Sequence, residues 1–88
     1  MAEALLEIKN KSGLHLRPAA EFVKKANEFE ANITLEREGK VVNGKSIIHV
    51  QALGVRQGMT IKLRAEGKDA QEAIAALSGL VNSGFGEG

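Results

Sequence analysis

Residues 60–82, TIKLRAEGKDAQEAIAALSGLVN, change from the pattern of a strand to that of a helix within a few residues. Ile61, Leu63 and Ala65 alternate with polar residues, which is the period of a strand with one buried face. From residue 70 the apolar residues follow helical spacing instead. The stretch predicts a strand over 60–65 and a helix over about 70–82.

The flanks of this helix carry different signals. Asp69 and Glu72 have the spacing of a capping box, so we expect the Asp69 side chain to cap the N-terminus of the helix. The final residues, SGFGEG, have no periodic pattern, and we expect this tail to fray.

Three more strands precede this stretch. Apolar residues alternate with polar ones from Ala4 to Ile8 and again around Ile33, which predicts two strands. Residues 37–40 predict a tight hairpin turn, because they include a glycine suited to positive φ. Residues 41–43 are then predicted to form the third strand.

Two further helices complete the chain. Apolar residues at helical spacing predict one over about residues 16–28. Ser46 and Gly54 are placed to start and end a shorter one over about residues 47–53. The order βαββαβα predicts an α+β fold: a single domain over residues 1–88, in which helices cover one face of a four-stranded sheet.

Composition excludes several classes of function. Twelve Lys and Arg against eleven Asp and Glu give a net charge of +1, and aromatic residues make up 3%, so no nucleic-acid surface is expected. There is no cysteine and there are two histidines, His15 and His49, so neither a metal site nor a bound cofactor is expected. Without a signal peptide or a membrane-spanning stretch, we expect a cytoplasmic protein that does not insert into membranes.

The segment SGLHLRPAAEFVKKA, residues 12–26, places His15 at the N-cap of the first predicted helix. Histidine is a poor capping residue. Unpaired backbone N–H groups and the positive end of the dipole attract phosphate there, and they disfavour a cationic imidazole. We therefore predict a neutral, nucleophilic His15 that accepts a phosphoryl group.

The neighbours of His15 suit the same chemistry. Arg17 offers a permanently charged planar fork that matches phosphate oxygens. Pro18 is tolerated in a first helical turn, and Gly13 lets the preceding loop bend. Two alternatives stay open: a non-catalytic binding module in which His15 is an ordinary surface residue, and an RNA-binding sheet, which lacks an aromatic pair.

Residues 13–20, GLHLRPAA, resemble the active-site signature of the HPr family, the histidine-containing phosphocarriers of the bacterial phosphoenolpyruvate:sugar phosphotransferase system. Residues 45–48, KSII, resemble the family's regulatory-serine segment, and residues 65–67 resemble the end of its fourth strand. The similarity in length and order extends over virtually the whole chain.

The resemblance implies that His15 accepts phosphate on Nδ1 from phosphorylated Enzyme I and passes it to the IIA components of sugar permeases, while Arg17 stabilises the phosphate. It implies a phosphoryl carrier rather than an enzyme, and we expect a monomer. It also implies the HPr-like open-faced sandwich, with antiparallel strands ordered 1-4-2-3 and three helices on one face.

Ser46 is predicted from its residues to cap the second helix. The resemblance adds a possible regulatory role, since HPr kinase/phosphorylase modifies the matching serine in many relatives and a carbon-control regulator responds. Phosphate there would repel acidic partners.

Ile47 and Ile48 are adjacent on a short helix, so both cannot point inward. With Leu16 and Ala20, the exposed isoleucine is expected to form an apolar docking patch around His15 for both partner proteins. Lys24, Arg17 and Gln51 would form its polar rim, although Lys24 is equally well explained as a solvated helix residue. Leu16 and His49 depart from the residues usual in the family, which affects partner choice.

Overall fold

The computed structural model describes residues 1–87 of the chain. Its four strands are β1 (Ala2–Glu7), β2 (Asn32–Arg37), β3 (Lys40–Asn43) and β4 (Thr60–Glu66). Its three α-helices are α1 (Leu16–Ala26), α2 (Ile47–Ala52) and α3 (Ala70–Asn82), and a 3-10 turn at Gly84–Gly86 follows them. Within residues 1–87, no helix combines the length and the apolar character needed to span a bilayer.

The four strands form one antiparallel sheet in the order β1-β4-β2-β3, which confirms the predicted topology. The alternation in β4 sets the register, because Ile61 pairs with Leu6 of β1 while Leu63 pairs with Leu35 of β2. All four of these side chains are buried beneath the helices. A slip by one residue would expose them, so the pattern fixes the pairing.

The core lies between the inner face of the sheet and the inward faces of α1 and α3. Phe22 of α1 and Leu77 of α3 are fully buried there, together with Val81. The opposite face of the sheet has no helix and presents charged side chains, among them the ion pair of Arg64 with Glu3 at 2.7 Å. The open-faced arrangement is therefore as predicted.

Helix α1 ends two residues before its predicted end at residue 28. Asn27 follows it as the C-cap residue, and its side-chain Nδ2 donates to the Val23 carbonyl at 2.9 Å. The next two backbone N–H groups, of Glu28 and Phe29, donate to carbonyls three residues back instead of four. The α-helical hydrogen-bond pattern thus gives way to a tighter turn after Asn27, which accounts for the earlier stop.

The capping box predicted at Asp69 is wrong. Asp69 does precede α3, but its side chain makes no capping bond. Its two oxygens instead accept from the backbone N–H groups of Glu30 and Ala31, each at 2.8 Å, where the chain enters β2. The hydrogen bond from Glu30 is the main reason why the pKa of the Asp69 carboxyl lies below its ordinary value. Asp69 therefore ties the loop before β2 to the start of α3.

The prediction that the tail frays is also wrong for residues 83–87, while residue 88 lies outside the described residues. Phe85 is only 2% exposed and belongs to the core. Gly84 and Gly86 adopt φ of +68° and +74°, which turn the chain so that the aromatic ring packs back onto the protein. Burial of one large aromatic side chain is sufficient to hold a segment this short.

Candidate functional site

His15 is the N-cap residue of α1, as predicted. Its backbone is extended, its side chain is exposed, and the ring makes no capping hydrogen bond. The His15 carbonyl accepts from the Ala19 N–H at 2.9 Å, which is the first bond of the helix. The imidazole therefore lies at the positive end of the α1 dipole and does not help to cap the helix.

Gly13 fixes the loop that presents His15. Its φ is +62°, and a Cβ atom there would lie 2.5 Å from the Val55 carbonyl oxygen. Next to it, the Leu14 N–H donates to the same carbonyl at 3.0 Å. The loop before His15 thus lies directly against residues 54–57, an approach that only glycine permits.

Replacement of Gly13 by alanine should lower the free energy of unfolding by about 2 kcal/mol, because alanine is disfavoured at positive φ and its methyl group has no space. Chemical denaturation measures the loss. Gly39→Ala is the matched control, since Gly39 has φ of +83° with nothing within 4 Å of the added Cβ. If both variants lost the same free energy of unfolding, the loss would come from positive φ alone and not from the steric contact at Gly13.

Arg17 lies in the first turn of α1 but is already paired. Its Nη1 is 2.8 Å from Glu21 Oε2, one helical turn away, and its Nη2 is 3.3 Å from Glu87 Oε2 in the tail. The Arg17 side chain is 62% exposed, so both ion pairs are weak and can exchange. Arg17 is thus near the predicted phosphate position but in contact with carboxylates.

Glu87 is a residue of this site that the sequence reasoning missed. Its carboxylate accepts from the Ser12 hydroxyl at 2.8 Å, and from the Ser12 N–H and Asn10 Nδ2 at 3.4 Å each. The bond from the Ser12 hydroxyl is the main cause that lowers the pKa of Glu87 below its ordinary value. Asn10 is buried, and its Nδ2 also donates to the Gly13 carbonyl at 2.8 Å, so tail and loop form one unit.

The stabilisation from Glu87 should disappear in acid. Because folding lowers its pKa, the ionised carboxylate stabilises the fold above the unfolded-state pKa of about 4.3, and this contribution is lost as the pH falls through the lower folded-state pKa. Wild type should therefore melt at a higher temperature than Glu87→Gln at pH 7, and this difference should begin to shrink as the pH falls below about 4.3. A difference that stays constant from neutral pH into acid would contradict ionisation as its cause.

An open basin of about 510 Å³ lies beside His15. We call it the His15 basin; none of its lining residues is acidic. They are Lys11, Ser12, Leu14, His15, Gln51, Gly54, Val55, Arg56 and Gln57. Only His15 and Gln51 among them were predicted site residues. The other polar lining residues belong to loops and turns that come close to His15 only when the chain is folded.

Ser46 caps α2, as predicted: its hydroxyl oxygen accepts from the His49 N–H at 3.4 Å. The other end of this short helix is held by the β2–β3 hairpin, where Lys40 Nζ donates to the Ala52 carbonyl at 2.9 Å. Helix α2 is therefore fixed at both ends by side chains rather than by its own length.

Helices α1 and α2 present three large apolar side chains to solvent. Leu16 is 59% exposed, Ile47 38% and Ile48 76%. The two helices pack against each other, and Asn27 Nδ2 donates to the Lys45 carbonyl at 3.3 Å. Both isoleucines therefore face solvent, whereas their adjacency on a helix led us to expect only one exposed isoleucine.

The other predicted patch residues are placed differently. Ala20 and Gln51 are half-buried, and Gln51 lines the His15 basin. Lys24 is exposed but lines a separate groove between α1 and α3, together with Glu21 and Leu80. Across the part of the chain that the structure describes, no three His, Cys, Asp or Glu side chains come together as a metal site.

Comparison with known proteins finds one family. A family described as "PTS HPr component phosphorylation site" matches residues 2–83. The crystal structure of HPr-C-His from Thermoanaerobacter tengcongensis is 53% identical, with a TM-score of 0.98 over 100% of this chain and 99% of that one. The HPr-like protein Crh of Halalkalibacterium halodurans is 47% identical over 92% of this chain and 96% of its own length.

The same sequence also resembles part of a much longer protein. A multiphosphoryl transfer protein of Vibrio cholerae is 47% identical over 97% of this chain, but the chain spans only 22% of that protein's length. The shared unit therefore occurs both as a small protein and within a larger one.

Proposed function

The chain belongs to the HPr family of the bacterial phosphoenolpyruvate:sugar phosphotransferase system, and on this premise we propose that it transfers phosphoryl groups through His15. His15 accepts the group on Nδ1 from phosphorylated Enzyme I and donates it to sugar-specific IIA proteins. As a carrier it turns over only with these enzymes, and we place it in the cytoplasm as a monomer.

The observation that supports this proposal most is the free imidazole at the start of α1. The ring is exposed and makes no capping hydrogen bond, so a nitrogen lone pair is available for attack on phosphorus. The bond between phosphorus and the donor atom of Enzyme I breaks as the bond to His15 forms, and the electron pair of the broken bond stays with the donor. The backbone N–H groups of the first turn then stabilise the anionic product.

Arg17 contributes by exchanging partners. Its ion pairs with Glu21 and Glu87 are solvent-exposed, whereas a dianionic phosphate at His15 offers a stronger, bidentate partner. We infer that phosphorylation draws the guanidinium from the two carboxylates to the phosphate. The pairs keep Arg17 close to His15 until then.

The apolar docking patch of Leu16, Ala20, Ile47 and Ile48 is proposed as the surface for both Enzyme I and IIA proteins. Its large side chains are exposed, Leu16 directly follows the acceptor in the chain, and burying these side chains on a partner is favourable. Gln51 lies between the patch and the His15 basin. Arg17 contributes positive charge to the rim, and we propose that Lys24 does so as well, from its position at the groove between α1 and α3.

Mass spectrometry tests the proposal. The protein is incubated with phosphoenolpyruvate and Enzyme I, and we expect one added phosphate, labile in acid and located on His15 by fragmentation. Addition of a IIA protein should then return the mass to its starting value. An unmodified mass, or an acid-stable phosphate, would contradict a phosphohistidine carrier.

A second role, regulation through Ser46, is favoured by similarity to Crh, described as the Bacillus subtilis catabolite repression HPr, which is 42% identical over 91% of this chain. The position of Ser46 at the start of α2 supports it as well. We propose that HPr kinase/phosphorylase phosphorylates its hydroxyl and that a carbon-control regulator binds the product. The phosphate would add negative charge beside the docking patch and repel acidic partner surfaces.

Incubation with HPr kinase and ATP should add one acid-stable phosphate to wild type and none to Ser46→Ala. The phosphorylated protein should accept phosphate from Enzyme I at least about tenfold more slowly, because of like-charge repulsion at the contact surface. Equal rates for the two forms would refute the regulatory role.

A further inference from the structure

The His15 basin carries positive charge on two of its lining side chains. Lys11 and Arg56 line the basin together with His15, and all the other lining residues are uncharged. Both cationic side chains are exposed. An anion attached to the His15 ring would therefore enter a cavity that already has a complementary charge.

Within residues 1–87, Arg56 is the one arginine whose guanidinium has neither a hydrogen bond nor an ion pair. The other three are occupied: Arg17 pairs with Glu21 and Glu87, Arg37 with Glu38, and Arg64 with Glu3. Arg56 can thus bind an added anion without breaking an existing ion pair. Arg17, in contrast, must first release its carboxylates.

The backbone of Arg56 is held against the loop that presents His15. Its N–H donates to Met59 Sδ at 3.3 Å, and its carbonyl accepts from the Met59 N–H at 3.1 Å. On the other side, a Cβ atom at Gly13 would lie 2.8 Å from the Arg56 Cα. The position of the residue is therefore fixed, while its long side chain keeps its freedom.

We propose that Arg56 is a second phosphate-binding residue of this site, whose guanidinium binds oxygens of the phosphoryl group on His15, with Lys11 adding positive charge. The inference rests on the proposed function, since its ligand is the group that His15 accepts. Phosphate matches the planar fork of arginine in a bidentate way.

The phosphoryl group fits this role better than an acidic side chain of a partner protein. The group is bonded to a ring that lines the same basin as Arg56, so it is delivered at high effective concentration. A partner's carboxylate would reach the guanidinium only during the encounter. The two alternatives differ in a measurable way, because the first stabilises the free phosphorylated protein and the second stabilises only the complex.

The equilibrium constant for phosphoryl exchange with Enzyme I distinguishes them. It is measured for wild type, Arg56→Gln and Arg64→Gln, the last being an exposed arginine on the bare face of the sheet. We expect Arg56→Gln to shift the equilibrium about fivefold towards phosphorylated Enzyme I, which is the scale of an exposed charge pair. Arg64→Gln should leave it unchanged.

A slower exchange with an unchanged equilibrium would overturn the proposal, because a contact with the partner alters the rate and not the free energies of the separate proteins. Absence of phosphohistidine in wild type would refute the proposed function itself. NMR gives a readout on wild type that does not depend on any variant: on phosphorylation, the Arg56 Nε–H signal should shift while that of Arg64 stays in place. An unmoved Arg56 signal would also overturn the proposal.

Discussion

Replacement of His15 by glutamine should abolish phosphoryl uptake from Enzyme I, with a loss of at least about 1,000-fold in rate. Glutamine has a similar length and can occupy an exposed N-cap, but its amide nitrogen is not a nucleophile. The His15 ring makes no capping hydrogen bond, so the fold should not depend on it. The incorporation of labelled phosphate from phosphoenolpyruvate measures the rate.

His49→Gln is the matched control for this variant. His49 is the other histidine of the chain and is exposed on α2. The control should accept phosphate at a rate near that of wild type, and both variants should melt within about 2 °C of it. Residual uptake by His15→Gln above a tenth of the wild-type rate would place the acceptor elsewhere.

Truncation of Phe85 to alanine should cost about 3 kcal/mol of unfolding free energy, although the residue lies near the end of the chain. The ring is part of the core, and the tail has no other large apolar side chain to replace it. For a chain of this size, the loss corresponds to a fall of at least about 12 °C in melting temperature. Differential scanning calorimetry measures the change.

Asn82→Ala tests whether any change near the tail has this effect. Asn82 is the exposed last residue of α3, and its truncation should shift the melting temperature by no more than about 2 °C. If Phe85→Ala were equally mild, the tail would contribute nothing to stability. Phe85→Ala should also break the hydrogen bond between Glu87 and Ser12, because the buried Phe85 ring holds the tail in the position from which Glu87 reaches Ser12.

The regular elements could be predicted because their patterns are local. The alternation in β4 and the helical spacing in α3 lie within short windows, and both elements end within one residue of the predicted limits. Asp69 could not be placed in the same way. The backbone N–H groups at the start of α3 are close to Asp69 in sequence, whereas those of residues 30 and 31 are far from it in sequence. Only the folded structure shows that the carboxylate binds residues 30 and 31.

In the candidate site, too, the residues with local sequence signals could be predicted and the others could not. His15, Arg17 and Ser46 occupy helix starts, where one sequence window contains both the side chain and its environment. Glu87 and Arg56 reach the site from other segments, so no spacing rule connects them to His15. The sequence did contain one neglected signal: glycines on both sides of Phe85 indicate a turn that returns an aromatic ring to the core.

The sheet order also determines when the protein can fold during synthesis. Within residues 1–87, strand β1 pairs only with β4, so its first partner residue, Thr60, is translated more than fifty residues after β1 is complete. At about 5–20 residues per second, the apolar face of β1 waits roughly 3 to 10 seconds for that partner. The first of the four strands to be synthesised is therefore among the last to be protected, and a nascent chain that stalls before residue 60 exposes Leu6 and Ile8 to chaperones.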